Sequence, residues 1–529
     1  MPNDCISYQD SGYFTPIMND YLDEKENLKP FYNRFPTLEN FGKQIAEKQQ
    51  QFSQNHRNTL VEVLQQQYQN IDTSALTQHH ISSLKDQKTF TITTGHQLNL
   101  FTGPLYFLYK IISAINLAKE LKTAYPEYNF VPVYWMATED HDFEEINYFI
   151  FKGKKFRWNK ETTGPVGRLS TEGLHEVFKF FAQDLGVGKH ADKIKELFEQ
   201  AYLKHEKLTD ATRFLANDLF GSHGLVIIDA DNQKLKREFI PYIKEELLQQ
   251  TSGKKVSETI ALLKDYQIQV NPREINLFYI EDRLRERIIF ENGVYSVNHS
   301  QLKFSETEIL EELEKHPEKF SPNVIMRPLY QEVILPNLCY IGGGGELAYW
   351  LELKSYFESV SVPFPILLLR NSVLLATEKQ GQKADKLNLK WRDLFSNQLQ
   401  LANSQIRLLS EFPVDLTIQK ELLQKQFDDL HKIAERTDKS FSGAVKAQEA
   451  KQLKGLENLE KRLLKAQKRK HSEQLERITD LQNELFPNKS LQERQVNFAE
   501  YYLQAGDSLI GKLLTELKPL EHNFKILLL

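Results

Sequence analysis

The sequence predicts an α/β fold: a parallel-sheet core with inserted connecting segments, joined to an α-helical antiparallel coiled coil. Three observations carry this expectation. Thr89-Phe90-Thr91-Ile92-Thr93-Thr94 alternates as a strand does, Gly95 to Pro104 breaks the pattern, Leu105 to Leu121 has helical apolar spacing, and Phe130 to Met136 is a second strand-like run. Another loop, Gly342-Gly343-Gly344-Gly345, again separates an apolar run from a helical pattern. Beyond about residue 384 the composition shifts to Leu, Lys, Glu and Gln, with Pro413 alone before Pro487. The expected organisation is a core over 1–383, a coiled-coil domain over 384–487, and a segment over 488–529 that packs back on the core.

Residues 37–87 are polar and Gln-rich, with Leu60, Val61, Val63 and Leu64 in a packing stripe, so they are expected to cover the core. Pro104 fits a first-turn position of the helix that follows. Phe149 to Gly167 has strand or loop character, and helical patterns run from Glu172 to Leu219. Gly224 to Asp231 is a short apolar run ending in carboxylates, as a buried parallel strand would be, and Lys236 to Gln250 reads as its helix. Over about 267–298 three short strands, Leu277–Ile280, Arg287–Phe290 and Val294–Val297, are expected as an antiparallel insertion, with Asn292-Gly293 as a hairpin turn. A helix is expected over Glu346–Phe357, and a strand over Pro363–Leu369 that ends in Arg370-Asn371-Ser372. Farther on, Leu416–Arg436 reads as a helix and Asp438–Gly443 as a turn. Leu456, Leu459, Leu463 and Ala466 then make a seam that resumes in another phase at Leu475, Ile478 and Leu485, which implies a stutter or a short break. An antiparallel hairpin is the simplest arrangement, and its remaining apolar edge suits a second copy.

A chain of 529 residues exceeds one compact core, and 40% hydrophobic with 26% charged residues is ordinary for a soluble protein. A net charge of −5 and a pI near 6.3 argue against general nucleic-acid or anionic-membrane partners, so phosphate contacts would have to be local. The basic run from Lys461 to Lys470 is interspersed with carboxylates nearby and reads as a solvated helix face. No apolar run approaches the roughly 18 residues of a membrane helix, and Met1 to Cys5 has no leader-like character, so a cytoplasmic protein is expected. Cys5 and Cys339 are too few for a disulfide framework or a cysteine zinc site, and Cys339 reads as a small core residue.

Chemistry is expected at three places. Gly95, Thr102 and Gly103 lie in a strand-to-helix loop that suits an anion or a nucleotide, although it carries neither GxGxxG nor GxxxxGK[ST] and can also be a turn that needs glycine. His96 in that loop is a candidate proton shuttle or phosphate donor, and Gln97 a candidate substrate contact. Glu139-Asp140-His141-Asp142 follows the second strand, where a parallel sheet places ligands. Four adjacent residues cannot converge on one point, so Asp140 and Asp142 are the candidates for a polar substrate, the others cap the next helix, and no metal is assigned. Gly343 and Gly344 open onto a helix carrying Glu346, Tyr349 and Trp350, and Arg327 and Tyr330 lie shortly upstream.

The strings TTGHQLNLFTGPLYFLYKIISAINLA, VPVYWMATEDHDFEEIN, SPNVIMRPLYQEVILPNLCYIGGGGELAYWLELK and ERQVNFAEYY resemble those of the bacillithiol-biosynthesis cysteine ligase family, from about residue 90 to the C-terminus. The resemblance implies a cytoplasmic ligase that adds L-cysteine to glucosaminyl-malate through an amide bond, on a Rossmann-like core, with a coiled coil that makes a homodimer. Amide formation from a carboxylate requires activation, so ATP, with Mg, is the expected cosubstrate, and no tightly bound cofactor is expected. The Gly95–Gly103 loop loosely resembles the phosphate loop of adenylate-forming class I synthetases. An HxGH tetrad is absent, and Arg370-Asn371-Ser372 stands where a KMSKS-type lysine loop would follow. On this footing His96, Asp140 and Glu346 are the catalytic candidates: His96 for phosphate charge, Asp140 for an ammonium or amine, Glu346 as proton acceptor. Gln97, Asp142, Arg327, Tyr330, Tyr349 and Trp350 are the substrate candidates, with Arg327 matched to a carboxylate. Gly95, Thr102, Gly103, Gly343 and Gly344 are the nucleotide candidates. Two other classes stand beside this reading: a metal-dependent nucleotide- or sugar-binding hydrolase, and a non-catalytic coiled-coil scaffold.

Overall fold

The computed structural model describes residues 3–529; Met1 and Pro2, part of the stretch read above for a leader, lie outside the described residues. Five parallel strands form the central sheet: β1 (Thr89–His96), β2 (Asn129–Met136), β3 (Val226–Asp229), β4 (Asn337–Gly342) and β5 (Ile366–Leu369). Their spatial order is β5-β4-β1-β2-β3. This is the doubly wound, Rossmann-type order, and the strand sequence reverses between β1 and β4, where a crevice opens at the carboxyl ends.

Every residue of β1 is buried, so its threonines need partners inside the protein. Thr91 and Thr93 donate to Asn337 Oδ1 at 3.3 and 2.8 Å, and Thr94 donates to the Ile341 carbonyl at 2.8 Å. Side chains as well as backbone thus fasten β1 to β4, the pair that brackets the crevice. Helix α1 (Tyr106–Ala124) runs from β1 towards β2 and buries Leu108, Ile111, Ile112, Ile115, Leu117 and Leu121, each contributing roughly 1.5–3 kcal/mol. It is apolar on more than one face because the C-terminal segment covers its outer side, where Asn116 donates to the carbonyls of Leu514 and Leu517.

The first turn of α1 departs from expectation. Phe101, Thr102 and Gly103 all have positive φ (48°, 66° and 63°), and this tight reversal leaves Pro104 ahead of the helix, with its carbonyl accepting the Phe107 amide. Two non-glycine residues in that region cost about 1 kcal/mol or more each. Burial offsets the strain: the Phe101 ring packs on Phe149, Phe181, Phe198 and Phe498, and its amide donates to the Tyr202 hydroxyl at 2.8 Å.

Helix α2 (Gln233–Gln249) follows β3, and helix α3 (Met326–Ile334) leads into β4. After β4 the single helix expected over 346–357 is two: α4 (Gly344–Trp350) and a further helix, Lys354–Ser359. The break has a tertiary cause. Glu352 turns inward, is 2% exposed, and accepts the Gln269 amide at 2.9 Å.

Between α2 and α3 stands a five-stranded antiparallel sheet of Lys303–Phe304, Val294–Val297, Leu284–Glu291, Leu277–Glu281 and Phe320–Pro322, in that spatial order. It contains the expected strands and extends past them to Pro322, while residues 267–276 precede its first strand. Asn292 (φ 53°) and Gly293 (φ 80°) make the two-residue turn that pairs Glu291 with Val294.

Helices α5 (Thr417–Ala434), α6 (Lys439–Lys470) and α7 (Ser472–Leu485) form the coiled coil. Lys420 pairs with Glu460 and His431 with Glu449, so α5 and α6 run antiparallel. The turn between them is shorter than expected: Asp438 accepts the Phe441 amide at 2.9 Å and starts α6 at once, making Lys439–Gly443 helical. The phase shift of the seam is a break at His471 (φ −107°, ψ 25°). Finally, Asn523–Leu528 lies between Asp4–Ser7, antiparallel, and Val373–Ala376, parallel, tying the last segment to the core. Among the described residues no helix is long and apolar enough to cross a membrane.

Candidate functional site

Two cavities open at the carboxyl edge of the central sheet. The first, about 500 Å³, lies over the β1/β4 crevice and is lined by residues after β1 (Gln97, Asn99, Lys110), after β4 (Gly343 to Glu346), after β5 (Arg370) and from the C-terminal segment (Arg494, Gln495). Its charges are largely paired. Lys110 is 2% exposed and donates to Glu346 Oε1 at 2.5 Å and to the Gly95 carbonyl at 2.7 Å. Burial lowers the Lys110 pKa, and Glu346 opposes that. Arg370 is buried and donates to Glu493 Oε1 at 2.7 Å, while its Nε has no partner.

The second cavity, about 510 Å³, lies over the ends of β2 and β3, under the antiparallel sheet. Trp135, Phe278 and Arg273, Arg285, Arg287 and Arg327 line it, with Glu139 and Asp140. Arg327 sits among the rings of Trp135, Tyr340 and Trp350, 5.6–6.0 Å from their centroids, and its Nη2 makes no hydrogen bond. Arg285 lies 4.0 Å over the Phe278 ring and contacts His141 Nδ1 at 2.7 Å. One side chain joins the two cavities: Gln97 Nε2 donates to Asp140 Oδ2 at 2.8 Å, in the second, and to Glu145 Oε2 at 3.0 Å, in the first.

The candidate residues divide accordingly. Gln97, Gly343, Gly344 and Glu346 line the first cavity, and Asp140 and Arg327 the second. Gly95, His96, Thr102 and Gly103 line neither. Gly95 is small because a Cβ there would lie 3.2 Å from the Tyr340 hydroxyl, and Gly103 combines φ 63° with a contact of 2.7 Å to Asn99 Cβ. The His96 ring is buried against Tyr106 and Phe107, its Nε2 has no partner, and desolvation, with Lys110 and Arg370 nearby, holds it neutral. Held neutral, the ring keeps one N–H in place of the imidazolium's two and brings no positive charge to a phosphate.

The acidic cluster splits as its crowding requires. Glu139 pairs with buried Lys236 at 2.6 Å, Asp140 takes Gln97, and His141 takes Arg285. Asp142 is exposed, lines neither cavity, and stands at the N-cap of Phe143–Ile146 without a capping hydrogen bond. Tyr330 is fully buried and donates to the Ala230 carbonyl at 2.8 Å, which makes it support for Trp135. Trp350 is buried and stacked on Tyr340, and Tyr349 lies beside Arg327. The glycine run leads into α4 without a left-handed residue, and the Gly343 amide donates to Glu346 Oε2 at 2.9 Å, so the helix start is already capped by its own side chain. Cys339 is a buried strand residue whose thiol burial pushes up. Among the described residues no group of three or more His, Cys, Asp or Glu is placed to hold a metal ion.

Lys110, Arg370, Glu493 and Arg494 were missed by sequence reasoning. Lys110 had one available signal, a charge within an otherwise apolar helix face. The other three are brought in from distant segments, although Glu493 and Arg494 lie in the ERQVNFAEYY string.

Residues 1–371 match the model of the bacillithiol biosynthesis BshC N-terminal Rossmann-like domain, and residues 373–529 that of the BshC C-terminal coiled-coil domain. The chain belongs to the BshC family. A Flavobacterium johnsoniae protein is 68% identical over 527 residues, covering 100% of both chains. A Cytophaga hutchinsonii protein is 37% identical, covering 98% of each, and a Bacillus anthracis protein 27% identical, covering 96% of this chain and 97% of its own. All three carry the name "Putative cysteine ligase BshC". Family membership places the chain among the ligases of bacillithiol biosynthesis, and the observed parallel sheet and coiled coil agree with both domain descriptions.

Proposed function

We propose that this protein joins L-cysteine to glucosaminyl-malate through an amide bond, as the last step of bacillithiol synthesis, with ATP activating the cysteine carboxylate. The observation that carries the reading is the pair of neighbouring cavities linked by Gln97, which lines the first and donates to Asp140 of the second, since condensation needs two ligands held edge to edge. The arginine-rich second cavity suits the two carboxylates of the malyl group, with Arg327 as a bidentate partner and Asp140 near the sugar amine. The first cavity suits cysteine and the nucleotide, because Arg370 keeps a buried N–H without a partner and Gly343 and Gly344 leave room beside it.

When bound, ATP supplies the leaving group that a carboxylate oxygen lacks. The protein's part is then to hold the sugar amine beside the activated carboxyl and accept the proton it loses as the C–N bond forms. Both Glu346 oxygens are engaged, by Lys110 and by the Gly343 amide, so Glu346 orders the crevice. His96 lines neither cavity and its depressed pKa makes it a weak base, so it does not take that proton directly. We further propose a cytoplasmic homodimer formed through the coiled coil, whose Ile418, Leu422, Ile433 and Leu459 are exposed along one chain.

The test is mass spectrometry of purified protein incubated with cysteine, glucosaminyl-malate and ATP. Bacillithiol with stoichiometric AMP supports an adenylate, ADP in its place supports an acyl phosphate, and no product with any nucleotide refutes the reading.

A further inference from the structure

We infer that Arg494, delivered by the C-terminal coiled-coil domain, is a phosphate-binding residue of the first cavity; this rests on the ATP-dependent reading above. The segment Gln492–Asn497 is clamped from both sides. Gln492 exchanges hydrogen bonds with the Leu375 backbone at 3.0 and 2.9 Å, and Glu493 accepts from Arg370 at 2.7 Å and from the Val373 amide at 3.1 Å. Beyond Arg494, the Val496 carbonyl accepts the Leu105 amide at 2.9 Å, and Asn497 donates to the carbonyls of Phe101 and Gly103, both at 2.7 Å. The two clamps therefore grip the chain after β5 and the chain before α1, one on each side of the crevice. Arg494 and Gln495 are what the clamped turn presents to the cavity between them.

Arg494 is also the cation there that is left uncompensated. Lys110 is paired with Glu346 and Arg370 with Glu493, whereas among the described residues no carboxylate lies within ion-pair distance of Arg494, which is exposed. An arginine held on a rigid turn, unpaired and facing a cavity that already offers a buried guanidinium N–H, is arranged for an oxyanion with several oxygens. In the ATP-dependent reading the oxyanion in that cavity is the polyphosphate, and its charge spreads as the carboxylate is activated. The family's helical domain would then reach the reaction through this turn, independently of any role in pairing two copies.

The test uses the full chain with Arg494→Gln, Arg494→Lys and the control Arg469→Gln, which removes an exposed arginine of α6 outside both cavities and is expected to change neither binding nor KM. Titration calorimetry with ATP, and separately with inorganic tripolyphosphate, reads binding without turnover; steady-state kinetics then give KM for each substrate. Arg494→Gln is expected to weaken both titrants on the order of tenfold or more, to raise KM for ATP with KM for cysteine and glucosaminyl-malate unchanged, and to leave the melting temperature unchanged, with Arg494→Lys intermediate. Unaltered ATP binding in Arg494→Gln, while the parent protein binds ATP, overturns the inference and spares the ATP reading. A rise confined to KM for glucosaminyl-malate overturns it in favour of a carboxylate site. A parent protein that forms bacillithiol yet neither binds nor consumes ATP overturns both.

Discussion

Lys110 Nζ and Glu346 Oε1 meet at 2.5 Å across the point where the strand order reverses, one residue carried by the helix after β1 and the other by the helix after β4. Their surroundings are unequal: the lysine side chain is 2% exposed and the glutamate 30%. Removing the glutamate strands a buried ammonium, while removing the lysine leaves a carboxylate that water can reach. Glu346→Ala is therefore expected to destabilise by about 2–3 kcal/mol and Lys110→Met by about 1 kcal/mol. Urea denaturation of both variants checks the order, and a larger loss in Lys110→Met would contradict it.

The Gln97 amide is the partition between the two cavities. Gln97→Ala leaves Asp140 and Glu145 without their shared donor, and Gln97→Glu adds a third carboxylate beside them. Both are expected to lower kcat/KM at least tenfold, the second more than the first, with stability changing by less than about 1 kcal/mol at this half-buried position. Product formation alongside thermal melts separates these effects.

Asn497 holds the strained turn ahead of α1. Asn497→Ala removes donors to two buried carbonyls, those of Phe101 and Gly103, and is expected to cost about 2–4 kcal/mol. Because the turn sits at positive φ, the loss should also appear as faster amide exchange across residues 99–105, measured by mass spectrometry.

Burial pushes the Glu352 carboxyl up from 4.5 to about 7. The folded protein thus holds this proton more tightly than the unfolded chain does. The stability contribution is complete below about pH 4.5 and is lost as pH rises through about 7. Glu352→Gln removes the titration, so the variant's melting temperature should gain on the parent's between pH 5 and pH 8, by an amount equivalent to about 1–3 kcal/mol. A difference independent of pH would refute this assignment.

Much of the fold was legible because β2 is buried on both faces and α1 on more than one, which writes apolar runs into the sequence, and because β1 alternates β-branched threonines with Phe90 and Ile92. The Asn292-Gly293 turn was legible for a local reason, the positive φ that both residues tolerate. What failed had one distant cause and one local one. Glu352 breaks a helical pattern because Gln269 calls it inward, and Asp438 starts a helix where turn-formers cluster because its side chain caps. At the site, the loops were found and several of their roles were not. Gly95 and Gly103 are set by packing and backbone angle, and the pairing of Arg370 with Glu493 joins residues 123 positions apart, which no local pattern encodes.

The pairing of β1 with β4 also orders events in time. Thr94 reaches the Ile341 carbonyl across 247 positions, so the floor of the crevice cannot close until most of the chain is available. Loop-closure entropy makes such contacts late ones. Until then β1, rich in β-branched threonine and paired on one side by β2, presents an open edge to any strand it meets. The protein is thus most exposed to misassembly at the place where its chemistry later resides, and conditions that slow closure of β4 onto β1 should cost yield before they cost activity.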